Sequence, residues 1–245
     1  MARRNDIDRI LKDWKFEPGE VIARLVRAAD GREVLQMRID LGLLQLEVDH
    51  RPDGTHPGGA ETYFDYLLAL TIHEGRDFTL SEEQCAEADR ELVQFYQRRI
   101  GWLSLREFRR AARDADHSLA FMDFLKTCSP NEEWTLSHEQ YRPFILFHRT
   151  QAVALAELDE TGPEAAIEAI NQGLVRLRRF FIDVEAEERF DEDELVSRLR
   201  ELRESIREHY HLGRTLSERL ADAVESEQFE LAARLRDEIA RRTIS

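Results

Sequence analysis

The chain has very little cysteine and no long apolar stretch. Its 2 cysteines, Cys85 and Cys128, are too few for a disulfide framework or a cysteine-based zinc site, so we predict two buried free thiols. No segment approaches the roughly 18 consecutive apolar residues that a membrane-spanning helix needs. Residues 1–9 mix charges where a secretory signal would be apolar, and we expect a cytoplasmic protein with no membrane partner.

An excess of positive charge is also lacking. The 35 Lys and Arg residues face 50 Asp and Glu residues, which gives a formal net charge of −15. A field of that sign repels nucleic-acid phosphates, so we do not expect direct nucleic-acid binding unless a local basic face is present. Acidic residues interleave with the arginines that would have to supply such a face, and a solvated helix surface is the favoured interpretation: Arg98, Arg99, Arg106, Arg109, Arg110, Arg113, Arg176, Arg178 and Arg179.

The sequence motifs of several enzyme classes are missing. There is no phosphate-binding loop, no Gly-x-Ser-x-Gly elbow and no dinucleotide fingerprint. His73-Glu74 is not followed by the second histidine of a zinc-protease helix, and His209 and His211 do not share a helical face. We therefore predict no catalytic residue, no metal ligand and no cofactor.

Residues 1–60 show the period-two alternation that is typical of β-strands. One apolar run begins at Val21 and a second begins at Val34, and Asp30-Gly31 lies between them. This pair tolerates the positive φ of a hairpin turn. A third run surrounds Leu46. The sequence therefore predicts an N-terminal antiparallel β-ribbon of two to three strands, followed by a loop.

Beyond residue 60 the apolar residues recur with helical spacing, so the fold is predicted to be mainly α. Residues 61–182 form a predicted helical body, either a bundle or tetratricopeptide-like hairpins, because two stretches (101–115 and 159–169) place small residues on the second of two helices. Residues 183–213 are predicted to be a charged connecting helix or short coiled coil that keeps the C-terminal segment away from the body, with ordinary packing as the alternative. Its narrow apolar stripe consists of Leu195, Leu199, Leu202 and Ile206.

Residues 214–245 carry the most specific pattern in the chain. Leu216, Leu220 and Val224 stand four apart on one predicted helix. A second helix carries a matching stripe that consists of Phe229, Ala232, Leu235 and Ile239. The pattern predicts a helical hairpin in which Ala232 and Ala233 allow close approach and Phe229 closes the turn end. A unit of about 30 residues lies below the size that normally folds alone, so another surface must cover it. A copy of the hairpin, a similar hairpin of a partner and the body of the same chain are the three candidates.

This segment resembles the UVR domain, the UvrB/UvrC motif. The positions that match the family pattern are Phe229, Glu230, Ala232, Ala233, Leu235, Arg236, Asp237 and Ile239. The resemblance implies an interaction module that pairs with a second UVR motif or with its own copy. We therefore predict a non-enzymatic adaptor that binds protein partners through the hairpin, with a homodimer as one form. The segment from Gln36 to Gly54 is similar to uncharacterised bacterial UVR-motif proteins, which implies no activity.

Two other functions remain open at this stage. One is a small-ligand-binding or enzymatic module in the strand-and-loop region, where Asp40, Arg51, Asp53 and His56 would have to converge. More often, such residues shape turns and pair with one another. The other alternative is a nucleic-acid-associated protein linked to excision repair.

Overall fold

The chain folds into α-helices and one small β-sheet in the computed structural model, which describes residues 7–74 and 78–243. The mainly α fold with an N-terminal antiparallel ribbon is confirmed. Contacts divide the chain into two compact units, Met1–Arg149 and Thr150–Ser245. The four segments predicted above, with boundaries after residues 60, 182 and 213, stay a prediction.

The sheet of the first unit has the order β1-β2-β3, with both pairs antiparallel. The strands are β1 (Ile22–Arg27), β2 (Glu33–Ile39) and β3 (Gly42–Glu47). Gly31 has φ 92° in the predicted Asp30-Gly31 turn, which confirms the reason for placing a glycine there. The short helix α1 (Asp8–Asp13) was not predicted, because it buries no residue and so leaves no apolar stripe in the sequence.

In the described residues of the first unit, four complete α-helices follow the sheet. They are α2 (Tyr63–Glu74), α3 (Glu82–Ser104), α4 (Phe108–Thr127) and α5 (Glu132–Glu139), and α6 (Arg142–Glu160) begins in this unit. A capping box between Ser81 and Gln84 starts α3. The sheet lies so close to α3 that a Cβ added at Gly101 would be 2.6 Å from Leu35 Cδ2. Glycine is therefore required where β2 packs on this helix.

The second unit contains the remainder of α6 and four further helices: α7 (Pro163–Asp183), α8 (Glu194–His209), α9 (Leu216–Glu225) and α10 (Phe229–Thr243). A Cβ added at Gly173 would overlap the Thr150 side chain, so this side chain of α6 packs directly on the α7 backbone there. The two small-residue stretches fall at the α3–α4 and α6–α7 connections. A tetratricopeptide arrangement stays a prediction.

The charged segment after α7 packs against that helix, which is the ordinary packing that the sequence left open beside a connecting arm held away from the body. Helix α8 contacts α7 and buries Val196, Leu199 and Ile206, whereas Leu195 is only half-buried. Phe190, in the 3₁₀ turn before α8, adds to this surface and lies with its ring centroid 5.8 Å from that of Phe181. With Phe190 and Val196 added, the apolar face of this segment is wider than the narrow coiled-coil seam that the sequence predicts.

None of the helices in residues 7–74 and 78–243 is long and apolar enough to cross a membrane.

Cys85 and Cys128 are both buried and free, as predicted. Burial raises the pKa of the Cys128 thiol to about 11, which keeps it protonated and poorly reactive.

Candidate protein-interaction hairpin

Helices α9 and α10 form a hairpin with a very small core. Ala223, Ala232 and Leu235 are buried, and Leu216 and Leu220 pack against them while staying partly exposed. The alanines on both helices permit the close approach that the sequence indicated. So few buried apolar groups provide limited stability, because each fully buried large side chain contributes about 1.5–3 kcal/mol.

A capping box fixes the start of α9. The Thr215 hydroxyl accepts a hydrogen bond from the Glu218 backbone N–H at 3.2 Å, and the Thr215 N–H donates to Glu218 Oε2 at 2.8 Å. Two backbone donors at the helix start are thereby satisfied. The first helix of the hairpin therefore begins at a defined residue.

Glu218 also ties the hairpin to the rest of the second unit. Its Oε1 accepts hydrogen bonds from Arg207 Nη2 at 2.7 Å and from Asn171 Nδ2 at 3.2 Å. Asn171 Oδ1 in turn accepts from Arg203 Nη1 at 2.8 Å. Burial alone would raise the pKa of Glu218, but hydrogen bonds from Arg207, the Thr215 backbone and Asn171 outweigh it and lower the pKa. Charge-assisted bonds thus hold the open end of the hairpin.

The opposite end of the hairpin exposes three large apolar side chains, which we call the turn patch. Phe229 is 68% exposed, Val224 54% and Leu231 39%. This differs from the expected positions of Val224 on the pairing face and Phe229 as the closing residue. The pairing face of α9 follows Leu216, Leu220 and Ala223, which turns Val224 outward. Phe229 is the first residue of α10 and precedes the packed positions on that helix.

The remaining predicted interaction residues lie largely on the outside of α10. Ala233, Arg236 and Asp237 are exposed, and Ile239 is half-buried. Arg236 Nη2 lies 3.4 Å from Asp237 Oδ1, so these neighbours contact each other on the surface. Their described contact stays within α10, so it does not link α10 to α9.

The strand-and-loop residues proposed as a ligand site do not come together. Asp40 lies in the β2–β3 turn, where its carbonyl accepts from Arg38 Nη1 at 3.1 Å. His56 is exposed and its Nδ1 lies 3.3 Å from the Ala60 carbonyl oxygen. Only Arg51 and Asp53 meet, with 3.6 Å between Nε and Oδ2. Within the part of the chain that the structure describes, no hydrogen bond links Asp40 to Arg51 or His56.

Arg51 belongs to a buried charge cluster that the sequence did not reveal. It pairs with Glu87, and its Nε lies 3.3 Å from Glu91 Oε2. Glu91 is fully buried and accepts from the backbone N–H groups of Tyr63 at 2.6 Å and Phe64 at 3.1 Å, which caps the start of α2. These contacts fix the loop that carries Arg51 and the start of α2, because Arg51 pairs with both glutamates and Glu91 also binds the α2 backbone.

The arginines considered for a basic face include two that are buried. Arg98 makes a two-point contact with Asp114, at 2.9 Å from Nε and 2.7 Å from Nη2, and also donates to the His50 carbonyl at 2.8 Å. Arg99 is 1% exposed. Neither side chain is available to a phosphate backbone. In residues 7–74 and 78–243, no group of His, Cys, Asp or Glu side chains is arranged to hold a metal ion.

Comparison with known proteins identifies the hairpin. Residues 214–241 match the family model described as UvrB/uvrC motif, which covers α9 and most of α10. No curated protein and no solved structure matches the chain. The chain therefore carries a UVR motif as its C-terminal helical pair, which confirms the resemblance, and the match leaves residues 1–213 unassigned.

Proposed function

We propose that the protein is a non-enzymatic adaptor that docks, through the turn patch of its UVR hairpin, onto a hairpin of the same kind in another chain. A second copy of this protein is one such chain. The observation that carries the proposal is the exposure of Phe229, Val224 and Leu231 at the end of a motif whose own core is very small. Such apolar clusters at the surface typically mark interaction sites.

The anchoring of the hairpin supports this function. Glu218 bonds to Arg207 and Asn171 at the open end, so the turn end is presented on a preformed support. A preformed surface loses less conformational entropy on binding than a flexible one. Burial of Phe229 alone would contribute about 1.5–3 kcal/mol to an interface.

The charges around the turn patch favour a particular kind of partner. Glu225, Glu227 and Glu230 surround the exposed apolar side chains in the sequence. They would attract an apolar groove with a basic rim and repel nucleic acid. A protein partner therefore suits this surface better than a phosphate backbone does.

Removal of the hairpin tests the proposal. The full chain and a chain that lacks residues 214–245 are each used for affinity purification from cells, and their masses in solution are measured by light scattering. We expect the truncated chain to lose specific partners or to fall from dimer to monomer. Circular dichroism checks that its body is still folded. If the truncated protein keeps the same partners and the same number of chains per particle, the adaptor function is contradicted.

A further inference from the structure

A large cavity lies in the first unit, far along the sequence from the UVR motif. Its volume is about 600 Å³, within the range of small-molecule sites. Helices α3, α4 and α6 supply the largely apolar wall, which is formed by Leu92, Val93, Tyr96, Met122, Phe144 and Ile145. A wall of this composition suits the hydrocarbon or aromatic body of a ligand.

Arg99 provides a positive charge in the same cavity. The side chain is 1% exposed, and its Nη1 donates to Ser118 Oγ at 3.2 Å. Its Nε is buried with no hydrogen-bond partner. Burial lowers the pKa of Arg99 to about 10, so the guanidinium stays charged at neutral pH. Arg99 thus combines a buried charge with an unused donor.

No described carboxylate pairs directly with Arg99, although the charge of the nearby Asp114 acts on it. The neighbouring Arg98 takes both oxygens of Asp114, and no carboxylate in residues 7–74 or 78–243 forms an ion pair with Arg99. Ser118 donates its own hydroxyl hydrogen to the Asp114 carbonyl at 2.9 Å, so this hydroxyl positions the guanidinium. The Arg99 guanidinium carbon lies 5.6 Å from the Tyr96 ring centroid, which offsets only part of the cost of burial.

The cavity has a buried inner end and an open mouth. Arg99 and Ser118, each 1% exposed, line the inner end. Val93 and Tyr141 are 53% and 59% exposed and lie at the mouth. Asp89, an acidic residue on the wall, accepts a hydrogen bond from His138 Nε2 at 2.7 Å. An amphipathic molecule would therefore enter with its anionic end first.

We infer that this cavity binds a small organic acid, with the carboxylate on the Arg99 guanidinium and the apolar body between Tyr96, Met122 and Phe144. A carboxylate matches the planar donors of a guanidinium and supplies the missing counter-charge. This ligand site is independent of the hairpin and does not rest on the adaptor function.

The test uses three acids and their uncharged amides: octanoate, 4-phenylbutanoate and indole-3-acetate, with octanamide, 4-phenylbutanamide and indole-3-acetamide. Each is titrated into the full-length protein by calorimetry. We expect at least one acid to bind with a Kd below about 10 mM and its amide to bind at least about tenfold more weakly. No binding by any of the acids, or equal binding of acid and amide, would overturn the inference.

Three variants locate the binding. Arg99→Met keeps an apolar chain of similar length and should abolish the preference for the acid, whereas Arg90→Met, an exposed arginine on the same helix, should retain it. Val93→Trp, at the exposed mouth, should block both acid and amide while leaving Arg99 in place. A preference that survives Arg99→Met, or binding unaffected by Val93→Trp, would place the ligand elsewhere.

Discussion

At the scale of single residues, helix α3 buries three charged side chains, Glu91, Arg98 and Arg99. Arg98 and Arg99 are adjacent and both were considered for a basic surface, yet one pairs with Asp114 and the other has no ion-pair partner among the described residues. Glu91 is fully buried, although a glutamate in a helix normally faces solvent. Their partners lie on other elements, so spacing along one helix carries no signal for them.

His148 allows a prediction for pH dependence. It is 9% exposed, and burial, together with the nearby charge of Arg99, lowers its pKa to about 4. The unfolded chain, with a histidine pKa near 6.5, takes up the proton first as pH falls. The contribution of neutral His148 to stability is therefore complete above pH 6.5 and is lost as the pH falls towards 4.

A matched variant isolates this effect from other titrating groups. We expect the wild type to lose about 1 kcal/mol more unfolding free energy per pH unit than His148→Phe between pH 6 and 5. Urea unfolding at both pH values gives the two differences. Equal losses in the wild type and the variant would show that the fold does not hold His148 neutral.

At the scale of elements, turn signals and periodicity predicted where strands and helices form, whereas the exact buried faces of the helices were not predicted. Asp30-Gly31 predicted the β1–β2 hairpin because the turn needs a positive φ. The spacing of Leu216 and Leu220 predicted the first UVR helix. The next residue on the same helical face, however, can lie either three or four positions after Leu220. The structure uses Ala223 rather than Val224, because the small side chain lets α10 approach.

The anchor at Glu218 gives a prediction at this scale. Glu218→Gln has one acceptor oxygen instead of two, so it can keep the bond from the Thr215 N–H that starts α9 but loses the charge and the acceptor that Arg207 and Asn171 share. Glu218→Ala loses both acceptor oxygens. We expect Glu218→Ala to destabilise α9 by about 1–2 kcal/mol and Glu218→Gln by clearly less, measured from the hydrogen exchange of amides in α9. The same protection in both variants and the wild type would contradict the anchoring role.

At the scale of the whole molecule, the fold class and the C-terminal motif could be predicted, but the cavity could not. Periodicity and turns act over short distances, and they sufficed for the helices, the ribbon and the hairpin. The cavity wall joins Leu92, Met122 and Phe144 from three different helices. Such a site depends on how helices pack together, which a single sequence does not express.

The adaptor function is tested most directly by one pair of substitutions. Phe229→Asp and Val175→Asp place the same charge at residues that are 68% and 69% exposed, the first in the turn patch and the second on α7. Both proteins are purified from cells with their partners, and their molar masses in solution are measured by light scattering. We expect Phe229→Asp alone to lose partners or self-association. If Phe229→Asp behaves like the wild type, or if both variants lose the same partners, the turn patch is not the docking surface.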